Sequence, residues 1–315
     1  MKVTRSLAGY RPPPAPVATI GNFDGQHRGH QALLRTVVET AARAQGTPVV
    51  ITFDPHPVRI LAPHVSLKFL TSPDDKLAAF EAAGIAEVVY LPFSQEFAAR
   101  SPESFAREIL AETLGLTQVF VGEHFAFGAK RAGRIDDLRR FGAQWGFSVH
   151  PIVPVVCDGA VISSTRIRAA IHDGRMEEAA QCLGRWYAWS GPVIEGAQRG
   201  RELGWPTANL AVPSERVVPR DGVYAARTWW GARRFDSIVY LGTRPTFETD
   251  GPRLLEVHLL DEQRALYGET VRVEFVSFLR ADATFATPEA LQAQIARDID
   301  GARGVLRAAP TEPIV

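Results

Sequence analysis

Val17-Ala18-Thr19-Ile20-Gly21-Asn22-Phe23-Asp24-Gly25-Gln26-His27-Arg28-Gly29-His30 is the stretch on which the fold turns. Its first four residues, apolar or β-branched, predict a strand. From His30 to Ala44 apolar residues recur at Leu33, Leu34, Val37, Val38 and Ala41, a helical stripe, with Gly46 as the stop. Between strand and helix lie glycines at 21, 25 and 29, which let a backbone come close to a ligand. A helix N-terminus offers free N–H groups and a partial positive charge, which suits a phosphate. The loop is not a Walker A loop, because no Gly-Lys-Ser/Thr follows, and it is not GxGxxG. His27 and His30 are spaced i, i+3 and can share a face where the helix begins. Two imidazoles there can donate hydrogen bonds to phosphate oxygens as charge builds in phosphoryl transfer. A metal pair is the competing reading, but no third ligand sits nearby in sequence.

Outward from this stretch the first half keeps one rhythm. Val49 to Phe53 is a continuous apolar run, as a strand buried on both faces requires. Helices are expected over Pro73 to Ala83, Pro102 to Leu114 and Ile135 to Trp145. Strands are expected over Glu87 to Leu91, Gln118 to Val121 and Phe147 to Val156. The alternation predicts a doubly wound parallel sheet, an α/β fold, whose ligands bind beyond the carboxyl ends of the strands. Gly21, Asp54 and Gly122 each follow such a strand. The prolines at 12–16 form a stiff entry to the first of them.

The pattern changes near Gly184-Arg185-Trp186. Strands are expected over Tyr187 to Ile194, Gly222 to Trp230, Phe235 to Leu241, Leu254 to Leu260 and Val271 to Phe278, then one helix over Pro288 to Ile299. Short strands without intervening helices predict a small antiparallel β-barrel. The expected domains are therefore 1–184 and 185–315, in keeping with a chain of 315 residues.

Bulk properties narrow the function. Lys+Arg and Asp+Glu number 35 each, so a nucleic-acid-coating surface is not expected. Cys157 and Cys182 form no CxxC pair, which leaves no zinc or redox motif. Lys2 and Arg5 precede no apolar segment, and no apolar run approaches membrane-spanning length, so a cytoplasmic protein without membrane partners is expected. The oligomeric state is left open.

Three further segments carry chemistry. In Ile162-Ser163-Ser164-Thr165-Arg166-Ile167-Arg168 a hydroxyl cap and a guanidinium make a second anion site. Thr207 and Asn209, in Gly204-Trp205-Pro206-Thr207-Ala208-Asn209, point the same way if the backbone is extended. A hydroxyl and an amide oxygen are hard ligands suited to Mg²⁺, which keeps waters and ATP phosphates as its other ligands. The preceding loop, with Gly200 and Gly204, can approach those phosphates. Glu256 and His258 share one strand face opposite Leu255, Val257 and Leu259, which makes Glu256 a candidate general base. Alone, each segment has a bland alternative: a helix cap, a turn, a solvated strand face.

Together these strings resemble the prokaryotic bifunctional riboflavin kinase/FAD synthetases, over nearly the whole chain and in the same domain order. The pairing of His27-Arg28-Gly29-His30 with the Ser164-Thr165-Arg168 helix start looks like the nucleotidyltransferase superfamily. Thr52-Phe53-Asp54-Pro55-His56-Pro57 and Gly122-Glu123-His124-Phe125 match segments of the flavin-adenylylating family. Asp221-Gly222-Val223-Tyr224, Gly242-Thr243-Arg244-Pro245-Thr246-Phe247 and Glu256-Val257-His258-Leu259-Leu260-Asp261 look like its kinase module. The resemblance implies riboflavin plus ATP giving FMN at the barrel, and FMN plus ATP giving FAD and pyrophosphate at the parallel sheet. It implies adenylylation ATP on Gly21, Phe23, Asp24, His27, His30, Ser164, Thr165 and Arg168, with His27 and His30 catalytic. It implies flavin on Asp54, Pro55, His56, Pro57 and Phe125. At the kinase site it implies ATP on Gly200, Gly204, Pro206, Thr207 and Asn209, Mg²⁺ on Thr207 and Asn209, and Glu256 as base. The chain departs from the family pattern at His124, usually Asp or Asn, and at Tyr240, often Asn. A riboflavin kinase with a degenerate first domain and a non-enzymatic flavin-binding protein are the alternatives at this point.

Overall fold

The computed structural model describes residues 1–194, 205–243, 253–262 and 266–310. The chain divides into two compact units, Met1–Ser164 and Thr165–Val315.

The first unit is built on a six-stranded parallel sheet. Its strands are β1 (Lys2–Thr4), β2 (Pro16–Ile20), β3 (Thr47–Asp54), β4 (Glu87–Pro92), β5 (Gln118–Gly122) and β6 (Ser148–Ile152), in the order β1-β4-β3-β2-β5-β6. β2 is buried along its whole length, so its side chains must be small or apolar on both faces. The helix Arg28–Arg43 covers one face through Leu33, Leu34, Val37 and Ala41. Phe105, Ile109, Leu110, Leu138 and Phe141 cover the other. The first helix ends at Arg43, three residues before Gly46. A Cβ there would lie 2.2 Å from the Ala15 carbonyl oxygen, so only glycine lets the chain pass.

Three elements differ from expectation. The strand expected over Phe147 to Val156 runs only over Ser148–Ile152, and Val156 belongs to a separate hairpin. β1 adds a short edge strand alongside β4. The helix expected over Pro102 to Leu114 is α-helical only at Pro102–Ser104 and continues as a π-helix over Phe105–Thr113. A hairpin, β7 (Val156–Cys157) with β8 (Ala160–Val161), follows the sheet.

The second unit is a closed antiparallel barrel of β9 (Tyr187–Ile194), β10 (Ala208–Ala211), β11 (Gly222–Trp230), β12 (Arg233–Thr243), β13 (Arg253–Leu259) and β14 (Thr270–Arg280). It has one more strand than expected: β10 closes the gap between β13 and β9. Tyr187, Trp189, Tyr224 and Phe275 meet edge-on or stacked inside it. Its outer face, Trp186, Val223, Ala225, Ile238 and Val276, packs against Ala180 of the helix Met176–Leu183 and against Ala302 and Leu306 of the helix Pro288–Ala308. That last helix outruns the expected end at Ile299. Arg227, only 1% exposed, ties down its end by donating to the carbonyls of Leu306, Ala309 and Pro310. The units therefore divide before these packed helices, at Ser164/Thr165, whereas sequence reading placed the boundary after Gly184.

Candidate active sites in the two units

In the first unit the glycine loop leaves β2 at the point where the strand order reverses, with β3 on one side and β5 on the other. Such a reversal opens a crevice at the carboxyl edge of the sheet. The Gly21 amide donates to the Ile51 carbonyl at 3.1 Å, holding the loop to β3. The loop then turns through positive φ at Phe23, Gly25 and Gln26. The buried Asp24 carboxylate accepts the amides of Leu70 at 3.0 Å and Thr71 at 3.3 Å, and Ser164 Oγ donates to the Asp24 carbonyl at 2.8 Å. Asp24 thus anchors the loop on two outside segments. Gln26 reaches the Lys76 carbonyl at 2.9 Å, a third tie.

His27 caps the helix: its Nδ1 accepts the His30 amide at 3.3 Å. That nitrogen carries no proton, so in the neutral ring the proton sits on Nε2. The two imidazoles stack with centroids 3.7 Å apart, and the Phe23 ring tilts against His30 at 5.2 Å. Burial, then His27 and then the Lys76 charge hold the His30 pKa well below the ordinary imidazole value. His30 is therefore neutral near pH 7. Its Nδ1 is buried and has no hydrogen-bond partner. A buried polar atom without a partner is a cost that a ligand would relieve.

Residues expected at the flavin lie on the neighbouring strand exits. Asp54 ends β3, exposed, with Arg5 at 3.3 Å; the Asp54–Pro55 peptide is cis. His56 Nδ1 caps the helix Pro57–Leu61 by accepting the Val58 amide at 3.2 Å, and its ring meets Phe69 edge-on. Phe125 follows β5 and stacks on Phe127 at 5.6 Å. His124 beside it is exposed. Thr165 and Arg168 belong to the second unit; Arg168 lies one turn after Ser164 on the same face of the helix Ser164–His172.

In the barrel, register places Glu256 directly opposite Asn209 on β10 and opposite Tyr240 on β12. The three share one face, with Leu255 and Val257 buried on the other. Asn209 is 2% exposed, and Thr207 precedes it by the two residues that return an extended chain to the same face. The His258 ring donates from Nδ1 to the Pro206 carbonyl at 2.9 Å, fixing the Pro206–Asn209 stretch against β13. Gly222, at φ 148°, sits so close to the Arg280 carbonyl that a Cβ would be 2.3 Å away. Tyr240 donates to Asp282 at 3.1 Å. Burial, and then the charges of Asp282, Asp221 and Glu256, push its pKa up, so it stays protonated. Gly200 and Gly204, and positions 244–247 of the motif that begins at Gly242, lie outside the described residues.

Family comparison assigns both halves. Residues 11–166 match the FAD synthetase family model, and residues 183–306 match the riboflavin kinase model. The bifunctional riboflavin kinase/FMN adenylyltransferase of Pseudomonas fluorescens is 37% identical over 99% of both chains. The enzyme of that name from Escherichia coli K12 is 37% identical over 90% of both, and that of Listeria monocytogenes 34% identical over 90% of both. The chain belongs to the bifunctional riboflavin kinase/FMN adenylyltransferase family. A solved structure of a macrolide-efflux protein from Streptococcus pneumoniae also superposes, with a TM-score of 0.87 at 29% identity over 96% of this chain and 99% of that one. No helix among the described residues is long and apolar enough to cross a membrane.

As a member of this family the chain is a transferase of flavin cofactor synthesis with kinase and adenylyltransferase domains, and the one-activity and non-enzymatic alternatives lose their ground. Two residues at the adenylyltransferase loop had no signal in the sequence. Thr71 accepts the Gly25 amide at 3.3 Å. Lys76, on the helix Pro73–Ala82, turns its ammonium inward to Thr52 Oγ1 at 3.2 Å. A lysine on a helix is ordinarily solvated, and only the fold shows that this one is not.

Proposed function

We propose that this chain phosphorylates riboflavin on its barrel and adenylylates the resulting FMN on its parallel-sheet unit, both with ATP, in the cytoplasm and without nucleic-acid or membrane partners. The observation that carries the reading is that both transferase families match in one chain, each over a segment holding its own reactive side chains, with Arg168 alone just past the end of the first.

At the barrel the nucleophile is the riboflavin 5′-hydroxyl, which must lose a proton as it attacks the γ-phosphorus. Glu256 takes that proton. A fixed carboxylate can do so because register, not a flexible loop, sets its position. Thr207 and Asn209 would hold Mg²⁺. The donors fit, being neutral hard oxygens at a strand start, with Asn209 buried and directly opposite the Glu256 carboxylate. When bound, the ion screens the phosphate charges of ATP. Pro206 and the glycines at 200 and 204 shape the ATP side.

At the parallel sheet the nucleophile is the FMN phosphate, already an anion, so no base is needed. An FMN oxygen bonds to the α-phosphorus, the bond to the bridging oxygen breaks, and pyrophosphate leaves with the electron pair. The chain at Gly21, Phe23 and Asp24 sets the loop. His27 and His30 donate to phosphate oxygens where charge gathers, and the helix start at Ser164, Thr165 and Arg168 holds the leaving phosphates. Asp54, Pro55, His56, Pro57 and Phe125 border the flavin.

The test is incubation of the purified protein with riboflavin and Mg²⁺-ATP, with flavins resolved by chromatography. FMN should appear first and FAD after it. FMN without FAD would remove the adenylyltransferase half of the reading, and neither product would remove both.

A further inference from the structure

Lys76 is a cation where the fold has no evident structural use for one. Its side chain lies against Thr52, which is fully buried on β3, and its ammonium makes one hydrogen bond, to Thr52 Oγ1 at 3.2 Å. An ammonium has three protons to donate. No carboxylate stands within ion-pair distance among the described residues. Asp24 and Asp54 are near enough to act on it through space, but Asp24 is committed to Leu70 and Thr71, and Asp54 to Arg5. The other titratable neighbours are His30, whose Nδ1 is buried and unpartnered, and His27 stacked on it. Two polar groups with unspent capacity thus lie near each other between the glycine loop and the strand that leads to the Asp54–Pro57 exit.

We propose that Lys76 is a substrate-binding residue of the adenylyltransferase site, where its ammonium holds the 5′-phosphate of FMN against the α-phosphate of ATP. The inference rests on the adenylyltransferase reading of the loop. Its chemical need is plain. Both reactants are anions, and they repel at bonding distance unless a cation lies between them. The loop and helix start serve the nucleotide, and Thr52 lies on the flavin-side strand. Lys76 bridges the two, tied to the loop by Gln26 and to the strand by Thr52. Burial, opposed by Asp24 and Asp54, lowers its pKa to about 8. The charge is therefore present at neutral pH and lost in mild alkali.

The experiment uses the full chain as parent, Lys76→Met and Lys76→Arg, with FAD formation followed from FMN and Mg²⁺-ATP. Lys76→Met should raise KM for FMN about 10- to 100-fold, the usual worth of a charge-assisted phosphate contact, and leave KM for ATP within about twofold. Far-UV circular dichroism of each variant, together with its unchanged KM for ATP in adenylylation, reports that the first unit is folded. In the parent, kcat/KM for FMN should fall as pH rises through about 8. Lys76→Arg keeps its charge and should lack that fall, a readout that stands even if Lys76→Met is unstable. An unchanged KM for FMN, a rise in KM for ATP instead, or the same alkaline fall in Lys76→Arg would each overturn the proposal while the parent still makes FAD. A parent that makes no FAD would overturn the adenylyltransferase reading itself.

Discussion

A kinase fragment that begins at Thr165 should be markedly more stable than one that begins at Arg185. The shorter fragment keeps every kinase motif and starts close to the family match at residue 183. It lacks the helix Met176–Leu183, whose Ala180 packs with Trp186 and Val276 on the outside of the barrel, and Gly174, where an added Cβ would stand 3.3 Å from the Phe278 ring. Cutting there opens a patch made of a tryptophan, a valine and a phenylalanine. Full exposure of a large apolar side chain costs about 1.5–3 kcal/mol. With each roughly half uncovered, the sum is about 2–4 kcal/mol. A domain of this size has about 5–15 kcal/mol to lose, so the cut removes a large share. In a thermal melt the difference should be roughly 10 °C. The assay is far-UV circular dichroism of both fragments, with riboflavin phosphorylation at 25 and 37 °C. Coincident melting curves would refute the reasoning, because the two helices would then carry none of the barrel's stability.

Glu256→Gln should lower riboflavin phosphorylation by roughly 10²–10⁴ and leave FMN adenylylation nearly intact; equal loss of both in a folded variant would sink the assignment of separate sites. Thr207→Ala and Asn209→Ala should each raise the Mg²⁺ needed for half-maximal kinase rate, with FAD formation from FMN untouched, and an unchanged titration would remove these residues from the metal. His30→Ala should slow adenylylation by about 10²–10³ so that FMN accumulates; FAD at the parental rate would clear His30 of a role. Acid also acts through His30. Its folded pKa is depressed, so its unfolded form binds the proton first, and stability is lost as pH falls below about 6.5, by at most about 1.4 kcal/mol per pH unit. Urea melts at pH 7.5 and 5.5 should show a shallower loss in His30→Gln than in the parent, and identical losses would mean His30 is not held neutral.

The alternation in the first unit was legible because buried parallel strands and one-faced helices leave opposite periods in the chain. β1 was not, since three residues beginning with a lysine have no period. β10 escaped for the same reason, and with it the closure of the barrel. The π-helical turn over Phe105–Thr113 leaves the same apolar residues an α-helix would, and differs only in which carbonyl each amide finds. The helix Met176–Leu183 was passed over because its alanines and glutamates carry little pattern of their own; the barrel face gives it its reason. Of the site, what lies on one segment could be read: the glycines and paired histidines, and Glu256 with His258. The pairing of Asn209 with Glu256 and the approach of Lys76 to Thr52 join residues distant in sequence, and only strand register and helix packing bring them together.

The contrast between the two sites follows from what each nucleophile lacks. A hydroxyl is neutral and holds its proton, so the kinase face must provide a base. The proposed base, Glu256, faces the Asn209 amide and a protonated phenol at Tyr240. A phosphate needs no base but must approach another phosphate, so the adenylyltransferase crevice must provide donors and positive charge. There His30 is held without charge with His27 stacked on it, and the proposed cation is Lys76. Exchange of either set for the other would fail on charge alone. A lysine at 256 could not take a proton while ionised, and a carboxylate at 76 would add a third anion to two that already repel. The two sites of this chain are therefore unlike for a chemical reason: the first reaction makes the anion that the second must tame.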